Sequence, residues 1–159
     1  MAQDYDKHSG CSQSVLLALQ EGLGIGDVDS FKSATVLSGG VARRGETCGA
    51  LLGGLMALGL ASGRERMEDT DRYARACKTA DEMCTEFQRR LEREFAFGEP
   101  LRSTLCSEIQ AKIYGRSFDL RDTGQREAFL AAGGHSDEGC FRVCGVAAEV
   151  SAERLLNGP

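Results

Sequence analysis

Across 159 residues the chain places only two prolines, Pro100 and Pro159. β-Branched residues are sparse and Ala, Leu, Glu and Arg are plentiful, so long stretches are free to coil and few favour a pleated strand. The expectation is an all-α fold, a bundle of about six or seven helices forming one domain over residues 1–159. Apolar residues make up 42% and charged residues 27%, a globular composition able to fill a core without disulfide staples.

Hydrophobic spacing and breakers divide the chain. A first helix is expected from Ser9, as N-cap, to Gly22, with Val15, Leu16, Leu19 and Leu23 on one stripe. A short second helix follows over Asp27 to Leu37, ended by Gly39 and Gly40. The third begins near Glu46 in GETCGALLGGLMALGL and is apolar nearly all round, which marks it as central. A long fourth helix, Glu68 to Phe95, aligns Tyr73, Cys77, Ala80, Cys84, Phe87 and Leu91. Pro100 suits the first turn of a fifth, carrying Leu101, Leu105, Ile109 and Ile113. Gln125 to Ala132 is a short sixth. The last is expected to start after Ser136, with Asp137 and Glu138 in its first turn, and to end before Gly158 and Pro159.

The net charge of −5 leaves no broad basic surface to neutralise phosphates, so nucleic acid is not an expected partner. The apolar run Ala50 to Ala61 is shorter than the roughly 20 residues that cross a bilayer, so no membrane span is expected. The N-terminus is polar and acidic, without a basic segment leading into an apolar one, and reads as cytoplasmic. Seven cysteines in such a chain point to metal binding or thiol chemistry.

The cysteines divide by position. Cys77 and Cys84 lie on the fourth helix's stripe and Cys144 on the inward side of the last helix, where a small hydrophobe serves packing. Cys11, Cys48 and Cys140 each fall in the first turn of a helix. There the unpaired N–H groups and the positive dipole end favour thiolate over thiol. Cys106, in STLCSEIQ, is expected in the second turn of the fifth helix and reads as core or as site on spacing alone. Gly49 and Gly53 share one face of the third helix and permit close approach by another backbone or by a bulky inorganic group. His8 and His135 read as loop residues exposed to solvent, and Arg43 and Arg44 as a solvated loop.

GETCGALLGG, together with CSQSVLLAL upstream, LCSEI and CFRVCGVAAE downstream, resembles the C_GCAxxG_C_C family of redox-active proteins. The resemblance covers nearly the whole chain and places the four family cysteines at Cys11, Cys48, Cys106 and Cys140, with Gly49 in the central segment. It implies a helical, redox-active protein, and the first expectation is that those four hold an iron–sulfur cluster, most simply [2Fe-2S], in electron transfer with an unidentified redox partner protein. A related cysteine pattern occurs in the dimeric split-Soret cytochrome c, which implies a homodimer. This chain has no CxxCH motif, so covalent haem is not carried over. Spacings of 37, 58 and 34 residues between the four cysteines leave the gathering to the fold. The alternative is a thiol–disulfide protein using the same cysteines without metal. A structural zinc site is disfavoured, since its cysteines usually come in closely spaced pairs.

Overall fold

Gly53 sets how closely the two central helices approach. The structure, a computed structural model, describes residues 1–158. Its described residues form eight α-helices: α1 (Ala2–Asp6), α2 (Cys11–Leu23), α3 (Val28–Ser33), α4 (Gly49–Ser62), α5 (Thr70–Glu94), α6 (Cys106–Tyr114), α7 (Thr123–Ala131) and α8 (Cys140–Leu156). A 3-10 turn, Ala34–Leu37, continues α3, so the expected second helix is present in two segments. Asp27 caps α3 through a reciprocal pair with Ser30, which fixes its start. The all-α expectation is met, and no helix among the described residues is long and apolar enough to cross a membrane.

α4 is the central element and packs against α2, α5 and α8. The core joins Val15, Leu16 and Leu19 of α2 with Leu51 and Ala57 of α4, Phe87 and Leu91 of α5, and Val143, Ala147 and Val150 of α8. A Cβ on Gly53 would run into the Ser12 carbonyl oxygen of α2, and one on Gly54 into the Ser151 hydroxyl of α8. The helix-propensity cost of these glycines, about 1 kcal/mol each, is therefore compensated by close packing. Gly53→Ala should lose about 1–2 kcal/mol net, because overpacking against a backbone that cannot yield outweighs the propensity gain. A shift of the urea midpoint without change in slope would register it.

Three expectations are corrected. α5 buries Thr79, Met83, Phe87 and Leu91 rather than the whole predicted stripe, and its first two turns bury nothing. Tyr73 stays half exposed beneath the Arg64 guanidinium, 4.4 Å from its ring centre, and Cys77 is exposed. The segment after Pro100 is extended rather than helical, because Thr47 and Leu105 form an antiparallel bridge that holds it against the approach to α4. α6 therefore starts at Cys106. α8 starts at Cys140, since Ser136 to Gly139 are turned and hydrogen-bonded back to Gly133 and Ser136. Pro159, expected beyond that helix's end, lies outside the described residues.

The N-terminal segment, read from the sequence only as polar and acidic, forms α1. It packs on α2 and α8 and buries Ala2 and Asp6.

Candidate functional site: a cavity walled by helix N-termini

Each of the four family-pattern cysteines begins a helix. Cys11, Cys106 and Cys140 are the first residues of α2, α6 and α8, and Cys48 is the N-cap of α4. All four line one cavity of about 490 Å³, together with Cys144 and Asp6. Four positive helix ends thus surround the space into which the cysteines are gathered.

Local structure explains how residues so distant in sequence meet. The Thr47–Leu105 bridge ties two of them side by side, because the Cys48 N–H donates to the Thr104 carbonyl at 2.8 Å and the Cys106 N–H to the Glu46 carbonyl at 2.7 Å. Gly10, at φ 112°, turns the chain into α2 in a conformation that an L side chain would strain. Gly49 has no side chain to keep Cys11 away, and a Cβ there would lie 2.6 Å from the Cys11 Sγ. The expected close approach is realised at both glycines, by the Cys11 sulfur and the Leu37–Ser38 backbone at Gly49 and by the Ser12 backbone at Gly53.

Between the 3-10 turn and α4, Gly39, Gly40, Val41, Ala42 and Arg43 all have positive φ, from 51° to 70°. This is a single left-handed turn, which costs roughly 1–2 kcal/mol for each of its three L residues. It places Ser38, Gly39, Ala42 and Arg43 on the cavity wall. The turn is stabilised by its own ladder, including the Arg44 N–H to the Gly40 carbonyl at 3.2 Å and the Glu46 N–H to the same oxygen at 3.0 Å.

Donors surround the sulfurs. The Gly39 N–H and the Ser38 hydroxyl face Cys11, and the N–H groups of Ala50 and Leu51 face Cys48. Gln110 Nε2 donates to Cys106 Sγ at 3.4 Å, and the Tyr114 hydroxyl to Cys140 Sγ at 3.4 Å. Such bonds stabilise sulfur-centred negative charge and tune a redox centre's potential.

The expectation that helix N-termini lower these thiols' pKa values is not met. Burial pushes Cys11 up to about 12, assisted by the neighbouring Cys48 and Asp6 and opposed by the Gly39 and Ser38 donors. Cys48, Cys106 and Cys140 move the same way, with burial again the largest cause. Removing a thiolate from water outweighs the helix ends and hydrogen bonds that favour it.

All seven cysteines are free. Cys144 is fully buried in the core and also reaches the cavity wall, so packing and proximity to the site coexist there. Cys84 is half-buried against the core, as expected, while the packing reading of Cys77 is overturned by its exposure. Among the described residues, no three His, Cys, Asp or Glu side chains are placed to hold a single metal ion.

Sequence reasoning passed over Asp6, Gln110 and Tyr114, and misread His135. Asp6 is completely buried and its Oδ2 lies 3.2 Å from His135 Nδ1. His135 is not a free loop residue: its ring packs between Phe129 and Phe141, and only 26% of its side chain is exposed. No motif flags Asp6, and the one signal for His135 is its place five residues before Cys140.

A family model described as "Putative redox-active protein (C_GCAxxG_C_C)" matches residues 9–154. The chain has no significant match among curated proteins or among solved structures.

Proposed function

From the premise that the chain belongs to the C_GCAxxG_C_C family, we propose that Cys11, Cys48, Cys106 and Cys140 hold an iron–sulfur cluster, most simply [2Fe-2S], and that the protein transfers electrons. The supporting observation is that four helix-initiating cysteines line a single cavity. Four thiolates are the usual protein complement of such a cluster.

A lone zinc ion with four sulfur ligands and Zn–S bonds of about 2.3 Å needs its sulfurs within about 4 Å of one another, and among the described residues no three donors are so placed. Coordination removes the thiol protons that burial otherwise retains, and the surrounding N–H donors and helix ends offset the resulting charge. When bound, the cluster would supply one-electron redox chemistry. The chain's own part would be to orient the four sulfurs, wall the cavity with the start of α4 and the left-handed turn, and set the potential through its hydrogen bonds.

The thiol–disulfide alternative draws on the same gathering of free cysteines. It is second because an attacking thiol needs thiolate character, and burial acts against it at all four positions. Exchange with a redox partner protein, a homodimeric state and a cytoplasmic setting complete the reading.

Protein purified without oxygen should be coloured by broad charge-transfer absorption and contain iron and acid-labile sulfide in equal stoichiometry. A colourless, metal-free protein whose thiol count changes reversibly with reductant would instead support the dithiol.

A further inference from the structure

The cavity has two ends of different chemistry. Cys48, Cys106, Cys144 and Asp6 lie at its buried end, none of them more than 9% exposed. At the other end Arg43, on the left-handed turn, and Arg126, on α7, line the wall and are exposed to solvent. Neither guanidinium forms an ion pair among the described residues, whereas Arg90, Arg142 and Arg154 each hold a carboxylate. The one acid on the cavity wall is Asp6, which is buried and faces His135. The mouth is therefore positive in a chain whose net charge is −5. A positive mouth between apolar walls of low dielectric draws anions.

The walls supply the second half of a site. Val36, Ile109, Leu120, Phe129 and Val143 give the cavity an apolar lining. Phe129 is held by other aromatic rings, since Tyr114, Phe118 and His135 meet it edge-on at 5.5, 5.8 and 5.6 Å between ring centres. This wall is formed before any ligand arrives. The volume of about 490 Å³ falls within the range of about 300–1,000 Å³ usual for small-molecule sites, and apolar walls with a few polar groups are their usual lining. The left-handed turn brings Arg43, and not the adjacent Arg44, to the wall.

We propose that the outer part of the cavity binds a small organic acid, its carboxylate received by Arg43 and Arg126 and its apolar body seated against Val36, Leu120 and Phe129. A guanidinium presents paired N–H donors that match a carboxylate, and the apolar body gains by leaving water. An inorganic anion lacks the second contribution and a neutral molecule the first. Binding of the acid requires no cluster. Only a role for it as reaction partner of the sulfur-lined centre would rest on the redox reading above.

The test is a calorimetric titration of the full chain, purified without oxygen, with 3-phenylpropanoate, 3-phenylpropanamide and inorganic phosphate. The acid should bind at one site with a Kd below about 1 mM, at least tenfold tighter than the amide or phosphate. Arg43→Gln and Arg126→Gln should each weaken it about tenfold, the scale of one charge-assisted hydrogen bond, with unchanged helical ellipticity. Arg89→Gln, at an exposed position of α5 away from the cavity, should leave the affinity as it was. Equal affinity for acid and amide, or full affinity in either cavity variant, overturns the inference. Iron-containing protein that binds no acid overturns it too and leaves the redox reading standing. Colourless, metal-free protein that binds the acid through both arginines supports the inference while the cluster reading fails.

Discussion

Raising the pH of the metal-free protein from 9 towards 12 is expected to unfold it. An ordinary thiol loses its proton near pH 9, whereas burial holds the Cys11 proton to about pH 12. Between those values the native state binds more protons than the unfolded chain, so stability falls as pH rises. At about 1.4 kcal/mol for each unit of displacement, Cys11 alone removes about 4 kcal/mol across this window. Cys48, Cys106, Cys140 and Cys144 are displaced in the same direction. The loss from Cys11 alone is already a large part of a typical domain's stability, about 5–15 kcal/mol. Loss of helical ellipticity through this range, shallower in Cys11→Ala, is the expected record. Protein whose cysteines are already ligated as thiolates has no such protons to lose and should keep its helices to higher pH. A metal-free protein whose stability is level from pH 9 to 12 would show that burial is not what holds these protons.

Gly49→Ala should disable the site from within the core. The new methyl would lie 2.6 Å from Cys11 Sγ, 2.9 Å from the Leu37 carbonyl oxygen and 3.0 Å from Ser38 Cα. Two of those neighbours are backbone, so the sulfur is the group that must move. Overpacking of this kind costs about 1–3 kcal/mol, and the displaced Cys11 should take most of the bound iron and visible absorption with it. Gly59→Ala is the matched control on the same helix, with nothing within 4 Å of the added carbon. It should gain up to about 1 kcal/mol from helix propensity and retain full iron. Equal iron in the two variants would mean that Cys11 does not depend on its contact with Gly49.

Much of this arrangement is local and therefore legible in the sequence. Apolar spacing locates α2 and α4, and the glycines beside Cys11, Cys48 and Cys140 mark those cysteines as helix starts. Cys106 is obscured because Pro100 is so well suited to a first helical turn. The pairing of Thr47 with Leu105, which postpones α6 until the cysteine, joins positions 58 residues apart and leaves no local trace. The stripe on α5 is misread for a related reason. Periodicity shows which residues share a face, but it does not say that the first two turns of the helix bury nothing. Asp6 and His135 are 129 residues apart, and the turn that brings them together is specified by α1 and α8 packing on α2. The sign of the thiol shifts also depends on burial, which a helix-end argument leaves out.

The central claim is that four separated cysteines act as one centre, and iron bound by single cysteine-to-alanine variants tests it most directly. Purified without oxygen, the variants at Cys11, Cys48, Cys106 and Cys140 should each lose the cluster, whereas those at the exposed Cys77 and half-buried Cys84 should carry as much iron and sulfide as the unmodified protein. Full iron in a folded variant at any of the first four positions, or its loss on replacing Cys77, would contradict the account.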